Sequence, residues 1–479
     1  MHTLIKRFLP SDALARHSII LGAGAVSYQA ITALSMLLLA RLYPAEALGH
    51  LAVFVATTGL LASAYALRYE LAIPLPEDAK RASQLMIWSI LLTLVNSSLT
   101  LVVVVFFGEA IARILHFEGR WWVLLLPLGG ILTSLNQIFY FYFLRQRQTR
   151  LVATARGFQA LLTALIQAAA FPLGAGALLT GLIVGQSAQL GILLRKVGSL
   201  EKDAFRWSEL WAVAIRYKRF PLYYIWSGLL SNFSLQLPLI LLTQAFGASA
   251  AGYYMLALRF LGAPLSIVGQ SIGHAYLVTA LQQREQIASL TLRMYTRQIL
   301  GIVPLCIIVC ILGPELTVLL FGETWRTTGE LLQWLAPMAC ITFVATPLTE
   351  LFTIYEKQHL STLFQALLLI QRVTSILFLS HTGDMVLTIA VFSGGGVLLW
   401  MGLILLTMRM AGNSFSALFS PARHALWWIA LAAGAVGVKF ASHWTVLGAA
   451  LLAETLILLS YWRAIRDKTP LQGNHGGEV

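Results

Sequence analysis

Three arginines stand inside stretches that are otherwise apolar: Arg68 in "ALRYELAIPL", Arg259 in "YYMLALRFLGAPL" and Arg372 in "LLLIQRVTSILFL". A charge at the centre of a bilayer costs about 2.5–3.5 kcal/mol on insertion scales, so each needs a wet cavity, an acid or the interface. Arg259 shares a helix face with Gly252, Gly262, Ala263, Ser266, Gln270 and Gly273. Everything on that stripe is small or polar, which suits the lining of a substrate cavity or one side of an interhelical pair. Glu350 lies on a second polar stripe with Thr342, Thr346, Thr353 and Lys357, and is the candidate for a protonatable coupling acid or an arginine's partner. Arg372 has Gln365 and Ser375 on its side, which leaves cavity lining and structural pairing both open.

Uncharged polar groups recur at the same depth: Tyr28 and Gln29, Gln137 with Tyr140 after Thr133, Gln167, and Asn232 with Gln236. Singly, each reads as interhelical glue worth about 0.6–2 kcal/mol. Together they supply the hydrogen bonds that a sugar would use. Arg68 and Glu70 close a predicted span over 46–72, roughly one turn from its end. Two residues apart on one helix, their side chains diverge and cannot pair. Arg68 can snorkel to the interface, but Glu70 needs another partner. A hydrated vestibule at the helix end is therefore expected.

The elements that carry these residues follow from hydropathy. The chain has 479 residues, 58% hydrophobic and 11% charged, where a soluble domain carries about 25% charged residues. Roughly 20 apolar residues cross a bilayer as a helix, and fourteen candidate spans run from 18–41 to 444–462. The apolar runs do not alternate at period two, which excludes a barrel. The fold class is thus an all-α polytopic membrane protein. Of the 33 Lys and Arg, 25 fall in alternate connections, five in the others and three within spans. That bias places both termini in the cytoplasm and makes the net charge of +13 a matter of orientation rather than nucleic-acid binding.

A faint repeat aligns "LLLARLYPAEALGHLAVF" with "LILLTQAFGASAAGYYML", and Gly49 with Gly252. Six spans separate the copies, so two parallel six-helix lobes around a central cavity are expected, 1–194 and 220–408. Between them, 195–219 reads as a basic interfacial linker, with Trp207, Leu210, Trp211, Ala214 and Ile215 on one face. Residues 409–479 read as an appended helix pair with a polar tail. Cys306, Cys310 and Cys340 have no His or Asp neighbours, so neither a metal site nor a disulfide is expected. Walker and HExxH patterns are absent from the sequence, and no cofactor is implied.

Four blocks, "LARLYPAEALGHLAVFV", "RYELAIPLPEDAKRASQL", the run from "RYKRFPLYYIWSG" to "IVGQSIGHAY", and "GPELTVLLFGETWRTTGELLQWLAP", occur in order. They resemble the polysaccharide-transporter branch of the multidrug/oligosaccharidyl-lipid/polysaccharide exporter superfamily, the O-antigen-type (Wzx-like) flippases. The resemblance implies translocation of an undecaprenyl-diphosphate-linked oligosaccharide between leaflets of the bacterial inner membrane. It also implies polymerase and chain-length-regulator partners. Arg68 and Glu70 match the family's Arg-Tyr-Glu block and Arg259 its Gly-Tyr-Tyr…Arg block, where a cationic lumen receives diphosphate or acidic sugars. The substrate-binding candidates are therefore Arg68, Glu70, Arg259, Arg372, Gln270, Asn232, Gln137 and Tyr140. Alternatives are a cation-coupled multidrug exporter, which calls for a cavity rich in acids and aromatics, and a polytopic glycosyltransferase or polymerase. The latter calls for a large outer loop, but the longest here is about a dozen residues. A scaffold without transport is the remaining reading.

Overall fold

The computed structural model describes residues 13–117, 119–197 and 206–439. Among them every regular element is a helix. The longer ones are α1 (Ala13–Leu42), α2 (Ala45–Tyr65), α3 (Ala79–Leu115), α4 (Arg120–Arg145), α5 (Thr149–Ala169) and α6 (Ala175–Leu194). A short α7 (Trp207–Arg216) leads to α8 (Ile225–Phe246), α9 (Ala248–Gln282), α10 (Ile287–Phe321) and α11 (Arg326–Leu348). The one-turn α12 (Glu350–Ile354), α13 (Gln358–Leu379), α14 (Met385–Met410) and α15 (Ala425–Lys439) complete the described chain. Among the described residues ten helical segments are long and apolar enough to cross a bilayer, and α1, α9 and α15 occupy three further predicted spans. The fourteenth, 444–462, lies outside the described residues. On α3 the side chains of Leu94, Val95, Leu99, Val102 and Phe106 are exposed, as a lipid-facing helix requires.

The chain divides into two compact units, 1–259 with 368–385 and 260–367 with 386–479. In the first, small residues let backbones touch. A Cβ on Gly49 would overlap the carbonyl of Ala248, and one on Gly252 would overlap the carbonyl of Ala45. The two glycines aligned by the sequence repeat thus meet in a reciprocal crossing of α2 and α9. Gly181 and Gly185, one turn apart on α6, seat against Gln167 and Thr163 of α5 in the same way. Gln167 is interhelical glue as expected: its side chain donates to the Leu178 carbonyl at 2.7 Å, and its own carbonyl accepts from the Tyr43 hydroxyl at 2.6 Å.

Three proline breaks in these helices are closed by side chains from neighbours. Proline has no N–H, so it leaves the carbonyl four residues earlier without its helical donor, and no water is present in hydrocarbon to replace it. Pro238 in α8 frees the carbonyl of Ser234, which accepts from Arg372 Nη1. Pro314 in α10 frees that of Cys310, which accepts from Gln333 at 2.9 Å. Pro347 in α11 frees that of Phe343, which accepts from Gln298 at 3.4 Å. Each pair lies within one unit.

The linker helix α7 is amphipathic and docked. Leu210, Val213 and Ala214 are buried against the first unit's core, while Trp207, Trp211 and Ile215 present an exposed apolar edge. Trp88 of α3 packs against both tryptophans, with ring centroids 5.8 and 5.7 Å apart. Glu209 accepts from Lys80 at 2.8 Å and from Gln84, and the Lys80 contact holds its carboxyl below the ordinary range. An exposed tryptophan edge on such a helix fits the membrane–water boundary.

Candidate functional site

The helix predicted over 46–72 ends early. α2 stops at Tyr65, Leu67 and Arg68 adopt left-handed φ values of 49° and 66°, and Tyr69–Ala72 form a 3-10 turn. With no helix to separate them, Arg68 and Glu70 pair after all, Nη1 to Oε1 at 3.8 Å. Glu70 is buried and Arg68 nearly so, so Arg68 does not snorkel and the carboxylate's partner lies two residues before it in the chain. Burial pushes the Glu70 carboxyl up to about 7, against the opposing pull of its backbone amide and of Arg68. The guanidinium lies against Gly228 of α8, where a Cβ would overlap it. Asn232 and Gln236 follow Gly228 at steps of four along α8, and the Gln236 amide lies beside Gly59.

Arg372 serves the backbone of α8. Besides the Ser234 carbonyl freed by Pro238, it reaches the Ser234 hydroxyl at 3.0 Å. Arg259, the last residue of the first unit along α9, is half-buried. Gln270 lies on α9, but its side chain falls outside those described. The stripe through Glu350 does not persist as one helix. α11 ends at Leu348, Glu350 opens the short α12, and Glu356 at φ 56° takes the chain out of helix before Lys357. Thr342 and Thr346 donate to carbonyls of their own helix. Glu350 is half-buried beside Gly273, without an ion pair among the described residues.

Gln137 and Tyr140 are brought together with several groups that the sequence reading passed over. A polar cavity of about 390 Å³ lies between α1, α4, α5 and α6, lined by Tyr28, Thr133, Asn136, Gln137, Tyr140, Phe141, Arg156, Gln159, Gln186 and Gln189. Arg156 lies over the Tyr140 ring, 4.3 Å from its centroid. Asn136 donates to the Gln186 carbonyl at 3.1 Å, and Gln186 donates to the Thr133 hydroxyl at 3.2 Å. Their side-chain oxygens, Asn136 Oδ1 and Gln186 Oε1, are buried with no donor among the described residues. No carboxylate lines the cavity. This donor and acceptor set fits hydroxyl or acetamido groups, with an aromatic face and one fixed cation. In the charge count Arg156 belongs to the connection before this helix. α5 begins at Thr149, so Arg156 lies seven residues in, about 10 Å along the axis. The signal was present: Arg156, Gln159, Thr163 and Gln167 recur at steps of three and four.

Residues 38–329 match the family described as polysaccharide biosynthesis protein. The chain belongs to that family. A comparison with curated proteins finds no match. Among solved structures, this polysaccharide biosynthesis protein is similar to the lipid II flippase MurJ in an inward closed conformation (TM-score 0.73, 11% identity, covering 94% of this chain and 99% of that one). It is also similar to an inward-facing multidrug resistance MATE family transporter of the MOP superfamily (TM-score 0.55, 14% identity, 82% and 94% covered). A third is a MOP superfamily transporter from Pyrococcus furiosus (TM-score 0.54, 12% identity, 84% and 96% covered). At these identities the likeness is one of fold: this family member is a multi-pass helical membrane protein of MurJ- and MATE-like architecture.

Proposed function

We propose that the protein is a flippase that moves an undecaprenyl-diphosphate-linked oligosaccharide, such as an O-antigen or polysaccharide repeat unit, from the inner to the outer leaflet of a bacterial cytoplasmic membrane by alternating access. The observation that carries this reading is the carboxylate-free cavity of amides, tyrosines and Arg156 inside a membrane-spanning unit. Apolar solutes gain nothing from five amide side chains, and a cationic drug would meet Arg156 without a compensating acid. Sugar hydroxyls and acetamido groups satisfy both kinds of amide atom at once. Arg259 is the site for the diphosphate, because a guanidinium at that depth gains most from a phosphate's charge-assisted bonds. Arg68 and Glu70 then position α8 rather than touch substrate, and Glu350 remains the candidate coupling acid.

The test is leaflet reorientation of a diphosphate-linked oligosaccharide lipid in proteoliposomes, with native protein, Arg259→Ala and Gln186→Leu compared at equal insertion. Loss of flipping in Arg259→Ala, and a change in glycan preference in Gln186→Leu, is the expected outcome. Equal rates in all three would overturn the reading, as would export of a cationic dye without lipid reorientation.

A further inference from the structure

A second cavity, about 690 Å³, lies wholly in the second unit and has a different chemistry. Its walls are apolar side chains of α9, α10 and α11, among them Val268, Ile272, Leu305 and Phe343, and its polar members are Arg293, Arg297 and Gln298. The two arginines are one turn apart on α10 and exposed. Arg293 donates from Nε to the Ser289 carbonyl of its own helix at 3.3 Å, and neither arginine has an ion pair among the described residues. α9 carries no acidic residue, and α10 carries none before Glu315.

The position of the arginines along α10 says what meets them. The helix has 35 residues, about 52 Å, against a hydrocarbon core of about 30 Å. Its first turns therefore stand at headgroup depth, where phosphates lie. From Arg297 to Leu305 the helix rises about 12 Å, close to the thickness of one leaflet's hydrocarbon, about 15 Å. The groove is one leaflet deep, open to lipid along its side and cationic at its mouth. Gln298 adds a buried acceptor oxygen with no donor among the described residues, placed to receive a headgroup hydroxyl.

We propose that this groove is a binding site for a single anionic phospholipid of the leaflet at the N-terminal end of α10, its phosphate on Arg293 and Arg297 and one acyl chain along Val268, Ile272 and Leu305. The carrier lipid is a poorer fit, because a long polyprenyl chain exceeds a groove one leaflet deep. The site is independent of the substrate cavity and of the transport reading.

Native mass spectrometry of the full-length protein tests this with phosphatidylglycerol and phosphatidylcholine of identical acyl chains. The native protein should retain one phosphatidylglycerol at least tenfold more tightly than phosphatidylcholine. Arg293→Gln with Arg297→Gln should abolish the preference, and Arg293→Lys with Arg297→Lys should keep part of it. Val268→Trp, an exposed position on the groove wall, should lower retention of both lipids with the arginines intact. Equal retention of the two lipids by native protein would overturn the proposal. So would phosphatidylglycerol preference unchanged in the Gln pair, or displacement of phosphatidylglycerol by an equimolar amount of undecaprenyl phosphate.

Discussion

If Arg372 serves the carbonyl that Pro238 orphans, restoring the missing donor should make the arginine dispensable. Ser234 is 1% exposed, so its carbonyl has no recourse to water. Arg372→Met keeps most of the side chain's volume and removes both contacts to Ser234. Leaving that buried acceptor unsatisfied costs about 1–3 kcal/mol. Pro238→Ala returns an N–H within reach of the same carbonyl, so in that background Arg372→Met forfeits only the hydroxyl contact and the charge assistance. The two changes should couple by about 1–2 kcal/mol, with the double variant more stable than the sum of the singles predicts. Reversible unfolding in mixed micelles, followed by helix content as denaturing detergent is titrated in, measures all four corners of the cycle. Additivity to within about 0.5 kcal/mol would refute the reasoning. Loss of flipping in Arg372→Met, retained in the double variant at full stability, would instead return Arg372 to the substrate path.

Other perturbations have equally definite outcomes. Gly49→Ala should destabilise the first unit by about 1–3 kcal/mol through overpacking, read as a lower melting temperature in detergent, and Gly252→Ala should match it. The Glu70 carboxyl titrates near 7 when folded and near 4.5 when unfolded, so the folded state holds the extra proton between those values. Stability should therefore fall as pH rises from about 4.5 to 7, by at most about 3 kcal/mol, and Glu70→Gln should flatten that slope in pH-dependent melting. Arg156→Gln should lower the transport rate by about tenfold for an acidic repeat unit, consistent with one lost charge-assisted contact of about 1.5 kcal/mol, and less for a neutral one. Trp211→Ala should leave folding intact but reduce partitioning of an isolated α7 peptide into vesicles, measured by tryptophan fluorescence.

Hydropathy was enough to read the all-helical, multi-pass class, because roughly 20 consecutive apolar residues have few other uses. The pairing of Gly49 with Gly252 was visible as a repeat, although its meaning as a backbone contact was not. What escaped depended on three-dimensional detail. Left-handed backbone at Leu67 and Arg68 cannot be read from Leu and Arg, residues that rarely adopt it, so the helix was extended through Glu70 and the ion pair missed. Arg372 was recognised as anomalous, but its partner is the Ser234 carbonyl, 138 residues earlier in the chain and freed by Pro238. Of the expected binding residues, only Gln137 and Tyr140 fall in the polar cavity. Of the others, Tyr28 and Thr133 read as glue and Arg156 as part of a connection, while Asn136, Gln159, Gln186 and Gln189 gain meaning only where four helices converge.

The reciprocal crossing of α2 and α9 also governs how substitutions accumulate. Each glycine admits a carbonyl oxygen into the volume where a side chain would begin, so the contact has a threshold and cannot yield gradually. One methyl group at either position forces the two axes apart, and the separation that relieves the first clash opens room for a second. Damage at Gly49 therefore largely masks damage at Gly252. A chain that lost one glycine would feel little further pressure to keep the other, and the two positions would drift together into a wider, differently packed crossing.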